Sequence, residues 1–212
     1  MRATTGEAND RMARGTAGAN SERRRQEILA AALACFTARG FSETTMSDIH
    51  ARSGASMGSI YHHFESKERL GAALYLEGLR SIHGEIRRVL AATESPEAAI
   101  KALVPAYIAW FEQHPELGHY LFQGLGAQYL EVDGEQIRAE AGGLRRDLGG
   151  WLRPHIAAGA IADLPLELYG PLLLGPTREF LQQWLVRRSP ADLHAISQAL
   201  ADAAWRALAA PA

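Results

Sequence analysis

Apolar positions along this chain recur at helical spacing almost from end to end. In SERRRQEILAAALACFTARGF, residues Ile28, Leu29, Ala32, Leu33 and Phe36 fall on one face at steps of three and four. That spacing predicts a helix capped by Ser21 and ended by Gly40, where a left-handed residue is wanted. TTMSDIHARSG predicts a short second helix, with Thr45 and Asp48 at the spacing of a capping box and Gly54 closing it. Ser56 then opens a third short helix, MGSIYHHF, in which Ile60 and Phe64 share the face that packs back on the first two. Ser66 caps a fourth, much longer helix beginning KERLGAALYLEGL. Short helices joined by a tight glycine-containing link are helix-turn-helix grammar.

Beyond Ser95 the pattern stays helical on a larger scale. SPEAAIKALVPAYIAWFEQ carries Pro96 in a first-turn position and is broken at His114–Pro115. ELGHYLFQGLGAQYLEVDGEQ is interrupted by glycines and gives no clear element, whereas IRAEAGGLRRDLGGWLRPHIAAG predicts a helix despite its own. LPLELYGPLLLGPTREFLQQWLVRR is strongly apolar, and Pro171 and Pro176 are expected to kink it. The last helix, SPADLHAISQALADAAWRALAA, has Pro190 at its start. Strand alternation, internal repeats and low-complexity segments are absent from the sequence. The expected fold is all-α: a disordered tail over 1–20, a helix-turn-helix head over 21–66, and a larger helical domain over 67–212.

Composition narrows the class. A chain of 212 residues, 47% hydrophobic and 22% charged, can bury a sizeable core, and its wealth of Ala and Leu favours helix. No apolar run is long enough for a membrane span, and the first twenty residues lack the apolar core of a secretory signal. The single Cys35 has no intramolecular partner and reads as a small packing residue, which fits a reducing, cytoplasmic setting. Net charge is −2 but uneven: residues 1–90 hold 13 Lys+Arg against 10 Asp+Glu, and residues 91–212 hold 9 against 14. A mildly basic end containing Arg23–Arg25, Arg52 and Lys67 is compatible with facing phosphates, although such a run is more often a solvated helix face.

The third helix carries the candidate chemistry. With Ile60 and Phe64 turned inward, Ser59, His62 and His63 point away and Tyr61 lies at the edge. Met57 fits either face, and Gly58 lets another surface approach the backbone closely. A duplex major groove admits such a helix, whose hydroxyls and imidazoles reach base edges or phosphates. Thr44, Thr45 and the free N–H groups at the start of the second helix make a second phosphate site, and Lys67 adds positive charge on the same side. Metal binding by His62 and His63 is not expected, because adjacent helix positions diverge by about 100° and no Cys, Asp or Glu sits at ligand spacing. No cofactor is expected either. An enzyme is disfavoured by the lack of a nucleophile elbow, a phosphate loop, zinc spacing or paired carboxylates.

TTMSDIHARSGASMGSIYHHFESKERL resembles the DNA-binding signature of the TetR family of bacterial transcriptional regulators. The matching pieces are Thr44–Thr45, Ile49, Gly54, Ser56, Gly58, Tyr61, His63–Phe64 and Lys67, preceded by Phe36, Gly40 and Phe41. His50 and Ser53 stand where the family commonly has Ala, and Ala55 where it commonly has Val; all three lie between the two short helices. The resemblance implies that Met57, Gly58, Ser59 and His62 face the groove, that Thr45, Tyr61, His63 and Lys67 hold the DNA backbone, and that Arg23–Arg25 add phosphate contacts.

It also implies a larger domain that binds a small apolar or amphipathic effector and dimerises. Aromatic and polar residues suited to a pocket are Tyr107, Trp110, His114, Phe122, Gln123, Trp151, His155, Arg178 and Trp184, although each aromatic taken singly is more often core. The last two helices carry a wide apolar stripe, from Leu172 to Trp184 and from Leu193 to Leu208; the stripe is either core or an oligomer interface, and in the family these helices pair with a second subunit. The expectation is a homodimeric repressor on pseudo-palindromic double-stranded operator DNA, released by an effector. The alternatives are a helix-turn-helix regulator without an effector and, less in keeping with the sequence, a helical enzyme.

Overall fold

A computed structural model of the chain describes residues 5–93, 95–123, 126–187 and 192–211. The chain divides into two compact units, Met1–Leu74 and Tyr75–Ala212. The division falls within a helix rather than before it at 66/67, because the first turns of that helix bury Leu70 and Ala72 with the head.

In the first unit, α1 runs Thr5–Arg39, α2 Met46–Ser53 and α3 Met57–His63, and α4 (Lys67–Ala91) begins. The helix expected from Ser21 already starts at Thr5, so described residues 5–20, expected as a disordered tail, continue α1. Nothing in that stretch forbids helix: it holds no proline, and its glycines weaken a helix without ending it. Ile28, Leu29, Phe36, Ile49, Ile60 and Leu70 are buried at the centre of the head, each worth about 1.5–3 kcal/mol over exposure.

Capping follows the sequence closely. Gly40 (φ 85°) and Gly54 (φ 64°) adopt the left-handed conformation that glycine tolerates. Thr45 Oγ1 accepts from the Asp48 amide at 3.2 Å while the Asp48 carboxylate accepts from the Thr45 amide at 2.9 Å, a complete capping box. Ser56 caps α3 through the Ser59 amide, and Ser66 caps α4 through the Arg69 amide.

The second unit contains the rest of α4, then α5 (Pro96–Gln113), α6 (Pro115–Phe122), α7 (Gly126–Ala157), α8 (Leu166–Arg187) and α9 (Leu193–Leu208). Ser95 and Pro96 start α5 as expected, and α6 begins at Pro115. The glycine-interrupted stretch after it joins the next helix as one long α7, which leaves helical geometry at Asp133 (φ −140°, ψ 35°). Pro171 and Pro176 lie inside α8, and helical structure runs through both. Pro190 lies outside the described residues; α9 is capped by Asp192 through the Ala195 amide. The core centres on α5, which packs on α8 and α9, with Ile100, Leu103, Val104, Ile108 and Phe111 buried. Gly78 of α4 sits against α6: a Cβ there would meet Leu121 Cδ2 at 3.0 Å and Leu117 Cδ1 at 3.2 Å. No helix among the described residues is long and apolar enough to cross a membrane.

Candidate functional site

Helix α3 is anchored from behind by Ile60 and Phe64, both buried, and presents Tyr61, His62 and Gly58 outward. Tyr61 is 47% exposed, the one aromatic ring among the exposed large apolar side chains of the described residues. Met57 and Ser59 are half-buried, so each shows one edge. A Cβ built on Gly58 would meet nothing within 4 Å, and its backbone is ordinary helix. Packing within the protein therefore does not require glycine there, and the open space lies on the surface of α3. The His62 and His63 rings stand edge to face at 5.5 Å. Desolvation pushes the His63 pKa down, with His62 and Arg25 adding repulsion, so its ring is neutral near pH 7 and offers one donor and one acceptor. Among the described residues no group of His, Cys, Asp or Glu is arranged to hold a metal ion.

Two residues expected against DNA turn inward. Thr44 is 1% exposed, and its hydroxyl donates to the carbonyls of Gly40 at 2.8 Å and Cys35 at 3.2 Å. It ties off the end of α1 and has no face for a phosphate. Lys67 Nζ donates to the carbonyls of Phe41 (2.9 Å), Ser42 (3.1 Å) and Thr44 (2.9 Å) and lies 4.8 Å from the Phe41 ring centroid. An ammonium has three N–H donors, and all are engaged. Lys67, half-buried, holds the loop between α1 and α2 in place through these carbonyls.

Other cations of the head are also paired. Arg39 bridges Asp48 at 2.6 Å, Arg24 meets Glu27 at 2.8 Å, Arg69 meets Glu65 at 3.0 Å, and Arg25 lies 5.5 Å from the Phe64 ring centroid. The Thr45 hydrogen bonds, followed by Arg39, hold the Asp48 carboxyl below its ordinary range. Arg52 is exposed and has no ion pair among the described residues. His50, a departure from the family pattern, spans the turn with Nδ1 2.6 Å from the Ala55 carbonyl; the carbonyl can only accept, so the ring donates.

In the second unit a cavity of about 620 Å³ opens between α4, α5, α6, α7 and α8. Its walls are mainly apolar, with Leu79, Ile82, Phe111, Leu121, Leu144 and Leu174 among them. Size and lining suit a small organic ligand. Of the pocket residues expected from sequence, Tyr107, Phe122 and Arg178 line it. The others do not. Trp110 is buried beside it and donates from Nε1 to Ser81 Oγ at 3.0 Å. His114 stacks on Trp110 at 4.8 Å and its Nδ1 meets that residue's carbonyl at 2.9 Å. Gln123 is exposed at the end of α6, and Trp151 and His155 pair with each other at 4.7 Å one turn apart on α7. Trp184 packs half-buried against the core.

Tyr75, His83, Glu179 and Gln182 complete the polar lining and were not picked out from sequence. His83 Nδ1 lies 2.9 Å from Glu140 Oε1, which also accepts from Arg87 at 3.1 Å, while Arg87 Nε donates to Asp147 at 2.7 Å. Their spacing along α4, four residues apart, was the available signal, since it puts both on one face.

A trihelical head with an exposed, uncharged reading helix, and a helical unit enclosing an apolar cavity, define a helix-turn-helix protein. The sequence model of the family described as "Bacterial regulatory proteins, tetR family" matches residues 28–74, from the core of α1 into the first turns of α4. Over 81 residues the chain is 37% identical to the HTH-type transcriptional repressor KstR2 of Rhodococcus jostii, covering 38% of this chain and 40% of that one. The match thus spans less than half the length of that curated relative. A longer match, 29% identical over 201 residues, joins 80% of this chain to 94% of the HTH-type transcriptional regulator BetI of Cronobacter sakazakii. The structure of the ketosteroid transcriptional regulator KstR2 of Mycobacterium tuberculosis superposes with a TM-score of 0.68 at 25% identity, over 89% of this chain and 96% of that one. Residues 28–74 thus carry the DNA-binding signature of the TetR family, and the fold beyond them is the one seen in solved regulators of that family.

Proposed function

We propose that the protein is a homodimeric transcriptional repressor that binds a pseudo-palindromic operator through α3 and leaves it when a small molecule occupies the cavity of the second unit. The observation that carries the DNA half is the surface of α3. Tyr61 and His62 stand in solvent, Gly58 leaves bare backbone beside them, and no charge on the helix has to be desolvated on entering a groove. In this reading His62 and Ser59 meet base edges, Tyr61 and His63 meet phosphate oxygens, and Thr45, exposed at the start of α2, adds a backbone contact. Named relatives that are transcriptional repressors favour repression over activation.

A second copy, paired through α8 and α9, supplies a second head, and two heads on successive major grooves multiply a weak single-site affinity. Leu166, Leu168 and Val186 of α8 remain exposed in the single chain, which supports a covered face there. An effector can release DNA only by binding the DNA-free state more tightly, and a coupling of about 1–3 kcal/mol is typical. Helix α4 starts beside the head loop at Lys67 and farther on contributes Leu79, Ile82, His83 and Ile86 to the cavity wall, which makes it the natural element to carry the coupling.

The test is fluorescence anisotropy on duplexes selected from a random pool. A palindromic half-site sequence with about ten base pairs between half-site centres is expected, with His62→Ala changing the preferred sequence. Failure of any duplex to bind at low salt removes the reading.

A further inference from the structure

The cavity wall holds two phenol hydroxyls and one guanidinium for which the described residues supply no hydrogen-bond partner. Tyr107 is 7% exposed, and neither it nor Tyr75 makes a hydrogen bond among the described residues. No side-chain oxygen among the described residues is sealed away without a partner, so these hydroxyls open on the cavity, where a bound group can accept their protons. Arg178, the sole Arg or Lys among the described lining residues, is exposed at the cavity edge and has no carboxylate partner among the described residues; its guanidinium carbon sits 5.8 Å from the centroid of Phe122. The other polar groups of the lining are spoken for in part: His83 faces Glu140, and Glu179 accepts from Gln183 at 2.7 Å. Resting on the effector reading above, we infer that the cavity takes an amphipathic monoanion, its carboxylate held by Arg178 with the Tyr107 and Tyr75 hydroxyls, and its apolar body lying among Leu79, Ile82, Phe111 and Leu144.

Three features support this assignment. Each phenol is a donor, and an anion accepts from several donors at once, whereas an alcohol or amine would leave one of them unsatisfied. Burial pushes the Tyr107 phenol up to about 12, and Arg178, lying near both rings, pulls Tyr75 and Tyr107 the other way without offsetting burial. Both hydroxyls therefore keep their protons at neutral pH and donate. Finally, apart from His83, Glu179 and Gln182 the rest of the wall is aliphatic, aromatic or glycine, so the greater part of the ligand is apolar.

Isothermal titration of the full-length protein with dodecanoate, dodecanol and dodecylammonium, all below their micelle concentrations, separates charge from chain length. Dodecanoate is expected to bind about tenfold or more tightly than dodecanol, and dodecylammonium no more tightly than the alcohol. Arg178→Gln should bring dodecanoate to within about twofold of dodecanol while leaving dodecanol unchanged, and Tyr107→Phe should cost dodecanoate several-fold with the alcohol again unaffected. Equal binding of acid and alcohol, a preference for the ammonium, or a carboxylate preference that survives Arg178→Gln would overturn the ligand class and leave the effector site standing. No heat with any of the three, in protein that still binds DNA, would overturn the ligand class and the effector reading together.

Discussion

Replacing Gly58 with alanine should move stability and DNA affinity in opposite directions. Gly58 is the second residue of α3, has helical backbone angles, and faces open space for 4 Å around the position of a Cβ. An added methyl meets no protein atom, so the intramolecular effect is the helix-propensity gain of about 0.5–1 kcal/mol. In a chain of this length that gain raises the melting temperature by roughly 1–4 °C. Against DNA the same methyl fills the space through which a groove surface approaches the backbone. Overfilling a close contact costs about 1–3 kcal/mol, a five- to hundredfold loss of affinity. No charge changes, so the slope of affinity against salt should stay the same. Differential scanning fluorimetry and anisotropy on a selected operator measure the two effects on one preparation. A variant that melts higher and binds as well as the parent would show that DNA does not come near Gly58, and the assignment of α3 as the reading helix would be refuted.

Lys67→Met should cost about 2–3 kcal/mol of unfolding free energy in urea, because it strands the carbonyls of Phe41, Ser42 and Thr44 and removes their charged donor. Unchanged stability with a shallower salt dependence of DNA binding would instead restore Lys67 as a phosphate ligand. In the second unit, desolvation keeps the His83 pKa below 6.5, so the neutral ring is favoured when folded and stability declines as the pH falls below 6.5. Although burial opposes it, pairing with His83 and Arg87 holds the Glu140 carboxyl below its ordinary 4.5, and that contribution is lost at lower pH still, as the carboxyl protonates. Denaturation profiles of His83→Gln should therefore lack the first part of the acid decline, and a parent protein that grew more stable between neutral and mildly acid pH would contradict the sign.

What could be read from sequence was local. The Thr45–Asp48 capping box, the left-handed Gly40 and Gly54, the caps Ser56 and Ser66, and Pro96 in the first turn of α5 each depend on residues within a few positions of the backbone groups concerned. The inward face of α3 followed from a single four-residue interval, Ile60 to Phe64. Contacts with distant backbone were illegible, because a carbonyl has no residue identity. Lys67 and Thr44 looked like phosphate ligands for this reason, when their partners are the carbonyls that end α1 and form the following loop. In the cavity, residue type was a poor guide to position. Trp110, Trp151 and Trp184 are as aromatic as Phe122 but pack on the core, since helix rotation decides which ring meets the space. Tyr75 carries no distinguishing signal, since a tyrosine on an amphipathic helix suits a core and a cavity wall alike. The bend of α7 at Asp133 occurs with no proline nearby to announce it.

Gly78 sets how cavity filling is felt along α4. With no side chain of its own, it lets the methyls of Leu121 and Leu117 rest almost on the main chain, and Leu121 is at the same time part of the wall a ligand would press. A molecule that pushes α6 outward or draws it in acts on the α4 main chain through a single layer of side chain, the Leu117 and Leu121 methyls, about one turn from the start of the second unit. A bulkier residue at position 78 would act as a permanent spacer, holding α4 off α6 whether or not anything is bound.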